Sequence, residues 1–341
     1  MSTQPMTATG HSNPSALLSV ENLAVHYKLP GQSEPLRAVD GVSFEIGTGD
    51  VFGLIGESGS GKSSVAKAVM RLAPIGSGSV SLGTTRLDQL KGKELRRARR
   101  RVQMVFQDPH ESLDPRMTVF QAVAEPLKLG GSRVARSELR ARVLDLLHRV
   151  GLDETHLDRK PHAMSGGQKQ RVNIARALAL EPELLVCDEA VSALDVSIQA
   201  GIINLLLSLQ QDLGISVLFI SHDLGVVSHL ADRVGVMYLG RLAEIAPVES
   251  LTSRPRHPYT EALLAAEPEA RPSTHRTPQT PMVSGDVPSA ASPPSGCRFR
   301  TRCPYVAERC AEEQPSLRHI DDDTFVACHR AEELTLTGRR A

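Results

Sequence analysis

Residues 56–63 read G-E-S-G-S-G-K-S, a G-x-x-x-x-G-K-S phosphate-binding pattern. The pattern constrains the fold because it works only between a strand and a helix. Residues 51–55 form a short apolar run of strand length, and residues 64–72 place Val65, Val69 and Leu72 at helical spacing. Gly56, Gly59 and Gly61 let backbone N–H groups curl around a phosphate with no Cβ in the way. Ser58 and Ser64 belong to the same lining, and the helix turns its N-terminus to the same anion. Lys62 supplies a mobile positive charge for the β- and γ-phosphates, and Ser63 a hydroxyl for Mg²⁺. These residues imply a nucleotide site in an α/β fold.

At 341 residues the chain has room for one large domain and a smaller one. Lys and Arg number 39 and Asp and Glu 39, and aromatics make up 3% with no Trp. Neither a bulk positive field nor a base-stacking platform favours nucleic acid as a partner. No apolar run approaches the roughly 18 residues of a membrane span. Residues 1–16 lack a basic-then-apolar leader and read as a disordered tail of a protein that stays in the cytosol.

Residues 17–27 and 37–46 alternate as strands and deliver the chain to the phosphate loop. Tyr27 offers an aromatic face to adenine or is a half-buried strand tyrosine. Glycines 76, 78 and 83 frame a small hairpin over 77–84. The five arginines of 95–101 read as a solvated helix face rather than a nucleic-acid patch. Residues 102–106 form a strand that ends at Gln107. A helical subdomain over about 108–164 follows, with Leu139, Val143, Leu146 and Val150 on one stripe. Ser165, Gly166, Gly167 and Gln168 then open a long helix, either as a plain N-cap or as a second anion site. The apolar strand 184–187 ends in Asp188 and Glu189, at the strand end where parallel sheets bind ligands. There Asp188 is placed for Mg²⁺ and Glu189 for polarising water. His222 follows the strand 216–220 and is a candidate γ-phosphate ligand.

In this order the motifs resemble the ATPase subunits of ABC transporters, over about residues 17–253. The resemblance implies a P-loop ABC ATPase domain at 17–255, with a RecA-like core, an antiparallel β subdomain and an inserted helical subdomain. It implies that Tyr27 stacks on adenine and that Gln107 senses Mg²⁺ and faces a membrane subunit. Ser165, Gly166, Gly167 and Gln168 would bind the ATP held by a second ATPase subunit. Asp195 would lie at the dimer interface and His222 on the γ-phosphate. Q-D-P at 107–109, S-L-D-P-R-M-T at 112–118, D-E-A-V-S-A-L-D at 188–195 and H-P-Y-T at 257–260 are similar to the oligopeptide/dipeptide (peptide/nickel) importer branch. Asp114 departs from the Asn of that branch. Ala190 and Val191 point to the second of two unlike ATPase subunits. Partners would be that other ATPase, two transmembrane permeases and an extracytoplasmic binding protein, with this chain peripheral on the cytoplasmic face of the inner membrane.

Residues 256–341 read as a C-terminal extension with a proline-rich arm at 268–294. Cys187 lies in the core strand as a small apolar residue. Cys297, Cys303, Cys310 and Cys328 are spaced C-x5-C-x6-C-x17-C. That spacing leaves an iron–sulfur cluster, zinc and unligated thiols open. The resemblance favours a structural [4Fe–4S] cluster beside the ATP and Mg²⁺ of the main site. A soluble ABC ATPase acting on ribosomes or DNA is disfavoured by the single set of motifs, and a module without turnover by Glu189 and His222.

Overall fold

A computed structural model describes residues 16–28, 35–108, 112–129, 135–267, 285–321 and 323–339. Residues 1–15, most of the proline-rich arm and part of the 107–118 motif lie outside them. Two sheets carry the fold. β1 (Ala16–Tyr27), β2 (Leu36–Gly47), β4 (Ser77–Leu82) and β5 (Thr85–Arg86) form an antiparallel sheet of order β2-β1-β4-β5. The main sheet uses β3 (Val51–Ile55), β6 (Val102–Val105), β7 (Leu184–Asp188), β8 (Ser216–Ser221), β9 (Arg233–Tyr238), β10 (Arg241–Pro247), β11 (Arg318–Asp321) and β12 (Thr324–Val326). Its order is β11-β12-β10-β9-β3-β8-β7-β6, parallel from β9 to β6 and antiparallel beyond β9.

The central strands are apolar throughout because both faces are covered. Phe52 and Leu54 enter one core with Leu184, Val186, Leu218 and Ile220. Val51 and Ile55 enter the other with Leu185, Cys187, Val217 and Phe219, the period of two that a strand imposes. Cys187 is fully buried, and burial pushes its thiol up to about 12. The first core sits under the antiparallel sheet, where Phe44 stacks on Phe52 at 4.9 Å. The second lies under the helices Val119–Leu129, Arg136–Arg149 and Gly166–Leu178, which pack on one another.

Three details depart from the sequence reading. The helix after the phosphate loop is Lys62–Val69, so Leu72 falls beyond its end and is 53% exposed. Of the five arginines over 95–101, Arg96, Arg97 and Arg100 are exposed as expected, but Arg99 and Arg101 are not part of a solvated face. Arg99 donates to the carbonyls of Met70 and Arg71 at 3.0 and 2.6 Å, and Arg101 pairs with Glu183. The cysteine-bearing end does not stand apart, since β12 pairs with β10 and Phe299 is buried in the second core.

Glu244 fastens this end. It is fully buried on β10 and accepts from the backbone N–H groups of Arg256 and His257, both at 2.9 Å. It also accepts from the Thr260 hydroxyl at 2.5 Å. Burial pushes its carboxyl up to about 7, against the pull of those donors. A folded-state pKa above the unfolded one means stability that is present at acid pH and lost as pH rises through about 7. The stability of Glu244→Gln relative to the parent chain should therefore improve between about pH 5 and 7, by on the order of 3 kcal/mol. Denaturant unfolding across that range checks this, and a constant difference would remove Glu244 from the role.

Candidate active site

The parallel strands deliver their C-terminal ends to one edge of the sheet, and the candidate residues follow those ends. After β3, Gly56 has φ +152°, and a Cβ there would lie 2.1 Å from the Met237 carbonyl oxygen. Gly61 has φ +105°, and its Cβ would lie 2.1 Å from the Ala38 carbonyl oxygen. Gly61 also caps the helix Lys62–Val69 without a side-chain hydrogen bond, leaving the first N–H groups to an incoming anion. Ser58 and Gly59 are exposed at the crown of the loop. Lys62 is buried and donates to the carbonyls of Gly56 at 2.8 Å and Glu57 at 3.0 Å. Burial lowers the pKa of its ammonium, while Glu189, Asp188 and Glu57 act against that. Tyr27 reaches the same helix, its hydroxyl 3.4 Å from the Ser64 Oγ.

Asp188 closes β7 and accepts from the Ser63 Oγ at 2.9 Å. Burial raises its pKa, with the Ser63 hydroxyl opposing. Glu189 next to it has φ +48°, in the left-handed region that side chains rarely adopt. Its N–H donates to the Ile220 carbonyl at 3.0 Å, which holds the turn in place. Gln107 Nε2 donates to Glu189 Oε2 at 2.7 Å, and His222 Nδ1 lies 3.6 Å from Glu189 Oε1. Three strand ends thus converge on one carboxylate that is 17% exposed. The group offers a carboxylate with both oxygens addressed, a second carboxylate paired with a hydroxyl, and an ammonium over a glycine-rich loop.

Ser165, Gly166, Gly167 and Gln168 lie elsewhere. Ser165 Oγ accepts from the Gln168 N–H at 3.3 Å, and Gln168 Oε1 accepts from the Ser165 N–H at 3.1 Å, a reciprocal cap of the helix Gly166–Leu178. Gly167 packs so closely on the helix Val196–Leu213 that a Cβ would lie 2.6 Å from the Ile198 Cγ2. Asp195 is exposed before that helix, beside Val196 at 81% exposure. Among the described hydrogen bonds none joins these residues to the phosphate loop. Asp114 accepts from the Arg116 N–H at 2.9 Å and pairs with its guanidinium.

The sequence reading passed over Gln170, fully buried, whose Nε2 donates to the Ala190 carbonyl at 2.6 Å. It ties the capped helix to the residue after Glu189. An uncharged polar residue on the buried side of a helix was its only signal. Glu57, Tyr259 and Arg302 were also passed over. The Glu57 N–H donates to the Tyr259 hydroxyl at 2.9 Å, and Arg302 pairs with its carboxylate at 2.9 Å.

Cys297, Cys303, Cys310 and Cys328 line one cavity with His257, Phe299 and Tyr305. Burial pushes the thiol of Cys303 up to about 12 and that of Cys328 up to about 11. Among the described residues no three of His, Cys, Asp or Glu are grouped so as to hold a metal ion. The expected [4Fe–4S] cluster is therefore not supported among the described residues, although the four cysteines border one cavity.

The description "ABC transporter" matches residues 39–192, and "Oligopeptide/dipeptide transporter, C-terminal region" matches residues 243–310. The chain is 49% identical over 321 residues to the "Probable peptide ABC transporter ATP-binding protein y4tS" of Sinorhizobium fredii, covering 92% of this chain and 90% of the relative. It is 42% identical over 327 residues to the oligopeptide transport ATP-binding protein OppF of Haemophilus influenzae, covering 94% and 98%. Among solved structures, the dimeric ATP-binding cassette MJ0796 bound to ADP and Pi superposes with TM-score 0.62 at 30% identity, covering 68% of this chain and 98% of that one.

If Glu189 is the general base, Glu189→Gln should slow ATP hydrolysis by on the order of 10²–10⁴ while nucleotide still binds. Single-turnover hydrolysis and nucleotide titration measure the two separately, and normal turnover would remove Glu189 from that role.

Proposed function

The chain belongs to the ATP-binding proteins of ABC transporters, and from that membership we propose that it hydrolyses ATP to drive uptake of peptides through partner permeases. The match of its C-terminal region to the oligopeptide/dipeptide branch supports the peptide substrate. The observation that carries the catalytic reading is the convergence of Gln107 and His222 on Glu189, next to the Ser63–Asp188 pair.

In this reading the loop N–H groups and Lys62 bind the β- and γ-phosphates, the ammonium exchanging its loop carbonyls for phosphate oxygens. Tyr27 lies against adenine. Ser63, Asp188 and Gln107 hold Mg²⁺, which when bound neutralises phosphate charge. Glu189 accepts a proton from the attacking water, and Gln107 and His222 orient it. His222 also addresses the γ-phosphate. Ser165, Gly166, Gly167 and Gln168, with Asp195, serve the nucleotide of a second ATPase subunit. Their separation from the phosphate loop supports this, because a helix N-terminus unused by the chain's own site is free to cap another. The partners are a second, unlike ATPase, two permeases and an extracytoplasmic binding protein, which place the chain on the cytoplasmic face of the membrane. Among the described residues no helix is long and apolar enough to cross a membrane.

We assign residues 17–255 to the ATPase domain, with 108–164 as its helical insertion, and 256–341 to the extension. The cavity bordered by all four C-terminal cysteines is the one observation in favour of a [4Fe–4S] cluster there. Protein purified without oxygen should carry iron and sulfide and absorb broadly in the visible, whereas stoichiometric zinc without iron would overturn the cluster. For the transport role, the chain co-reconstituted with its permeases should show ATPase activity that rises with peptide-loaded binding protein. Stimulation by nickel-loaded binding protein alone would reassign the substrate.

A further inference from the structure

Four atoms of one phosphate-loop residue are held, one by Lys62 within the loop and three from outside it. The Glu57 carbonyl accepts from Lys62 at 3.0 Å, its N–H donates to the Tyr259 hydroxyl at 2.9 Å, and its two carboxylate oxygens accept from Arg302 Nη1 at 3.1 and 2.9 Å. Tyr259 lies in the first turn of the helix Pro258–Ala266, and Arg302 immediately precedes Cys303. Both therefore come from the C-terminal part of the chain, and Arg302 is 245 residues from Glu57 in sequence.

The support behind these two groups is rigid. Tyr238 at the end of β9, Tyr259 and Phe299 pack ring against ring, with centroids 4.6, 5.3 and 5.4 Å apart. The Arg302 guanidinium lies 5.8 Å over the Tyr238 ring and its side chain is 12% exposed. Arg298, beside Cys297, reaches the Leu239 carbonyl and the Asp40 carboxylate. The segment between the first two cysteines is thereby pinned to the edge of the sheet where the phosphate loop begins.

A loop with three glycines in its six residues before Lys62 is costly to order, because glycine loses more conformational freedom than any other residue. Fixing such a loop before its ligand arrives raises affinity by removing that cost from binding. Glu57 is the residue through which outside groups can do this, since it carries the carboxylate and its carbonyl also seats Lys62.

We propose that Arg302 and Tyr259 are positioning residues for the phosphate loop. They hold Glu57, and through it the carbonyls that seat Lys62, so that the loop is ordered before ATP binds. The proposal rests on the ATP-site reading above. The test uses the full-length chain and measures Mg-ATP affinity by titration calorimetry. Arg302→Ala and Glu57→Gln should each weaken ATP about tenfold, and the double variant no more than either alone, because both remove one charge pair. Arg302→Lys, which keeps the charge, should recover part of the loss. Arg302 also packs on Tyr238, so its removal alone would not separate positioning from folding. Glu57→Gln leaves the C-terminal segment intact and carries the same expectation. Affinity within about twofold of the parent in Glu57→Gln, or additive losses in the double variant, overturns the proposal. Lys62→Ala in the same assay should lose tight binding. Unchanged affinity there would sink the ATP site itself, whereas loss there with none in Glu57→Gln sinks only the brace.

Discussion

A buried ammonium sets the terms for the nucleotide site. Removing the Lys62 charge from water is costly unless acceptors replace the water. The chain meets this with two loop carbonyls at hydrogen-bond distance and with the carboxylates of Asp188, Glu189 and Glu57 nearby. The two carbonyls point inward only if the loop folds back on itself, and that fold brings Gly56 and Gly61 against the backbones of Met237 and Ala38. The carboxylates of Asp188 and Glu189 are in range only if β7 lies where the main sheet puts it. The antiparallel sheet, the strand order and the glycines are thus all conditions for seating one charge. Phosphate oxygens can take over as acceptors when a nucleotide arrives.

The parts of this arrangement that were legible in the sequence are those governed by local rules. The strands bearing Ile55, Cys187 and Ile220 announced themselves as apolar runs of strand length, and their ends carried Gly56, Asp188 and His222. Placing ligand groups at the C-terminal ends of parallel strands groups Asp188, Glu189 and His222 from sequence, whereas the site role of Gln107 came only from the resemblance to ABC ATPases. Local rules held for Arg96, Arg97 and Arg100, which are exposed, but not for Arg99, because composition cannot say that it lies against the carbonyls ending the first helix. They also carried that helix on to Leu72, where Arg71 at φ +57° has already turned the chain. β9 and β10 went unread beside stronger motifs, and with them Glu244, whose partners lie 12 to 16 residues downstream. A buried carboxylate in a strand leaves no sequence signature unless its donors are known.

The C-terminal residues look detachable in sequence, since a proline-rich stretch precedes them and cysteines mark them. Packing says otherwise. β12 extends the main sheet through β10, Phe299 fills a space between Tyr238 and Tyr259, and Glu244 joins β10 to the helix Pro258–Ala266. A strand added at a sheet edge satisfies backbone groups that would otherwise template pairing with another chain. This segment therefore has a structural use in the described chain whatever the four thiols bind.

The S-G-G-Q turn illustrates how a complete local explanation can coexist with a distant use. Ser165 and Gln168 satisfy each other's backbone N–H groups, which accounts for their spacing with no ligand at all. Yet a serine hydroxyl has one donor and two acceptor positions, and the cap uses one acceptor. Its hydrogen has no acceptor among the described hydrogen bonds, and the residue is exposed. Gly166 and Gly167 are needed for close packing on Leu194 and Ile198, and the same missing side chains leave the helix N-terminus open. Capping therefore fixes the turn's shape without consuming what a phosphate from a second subunit would need. The segment holding it, through Gln170 and the Ala190 carbonyl, adjoins Glu189.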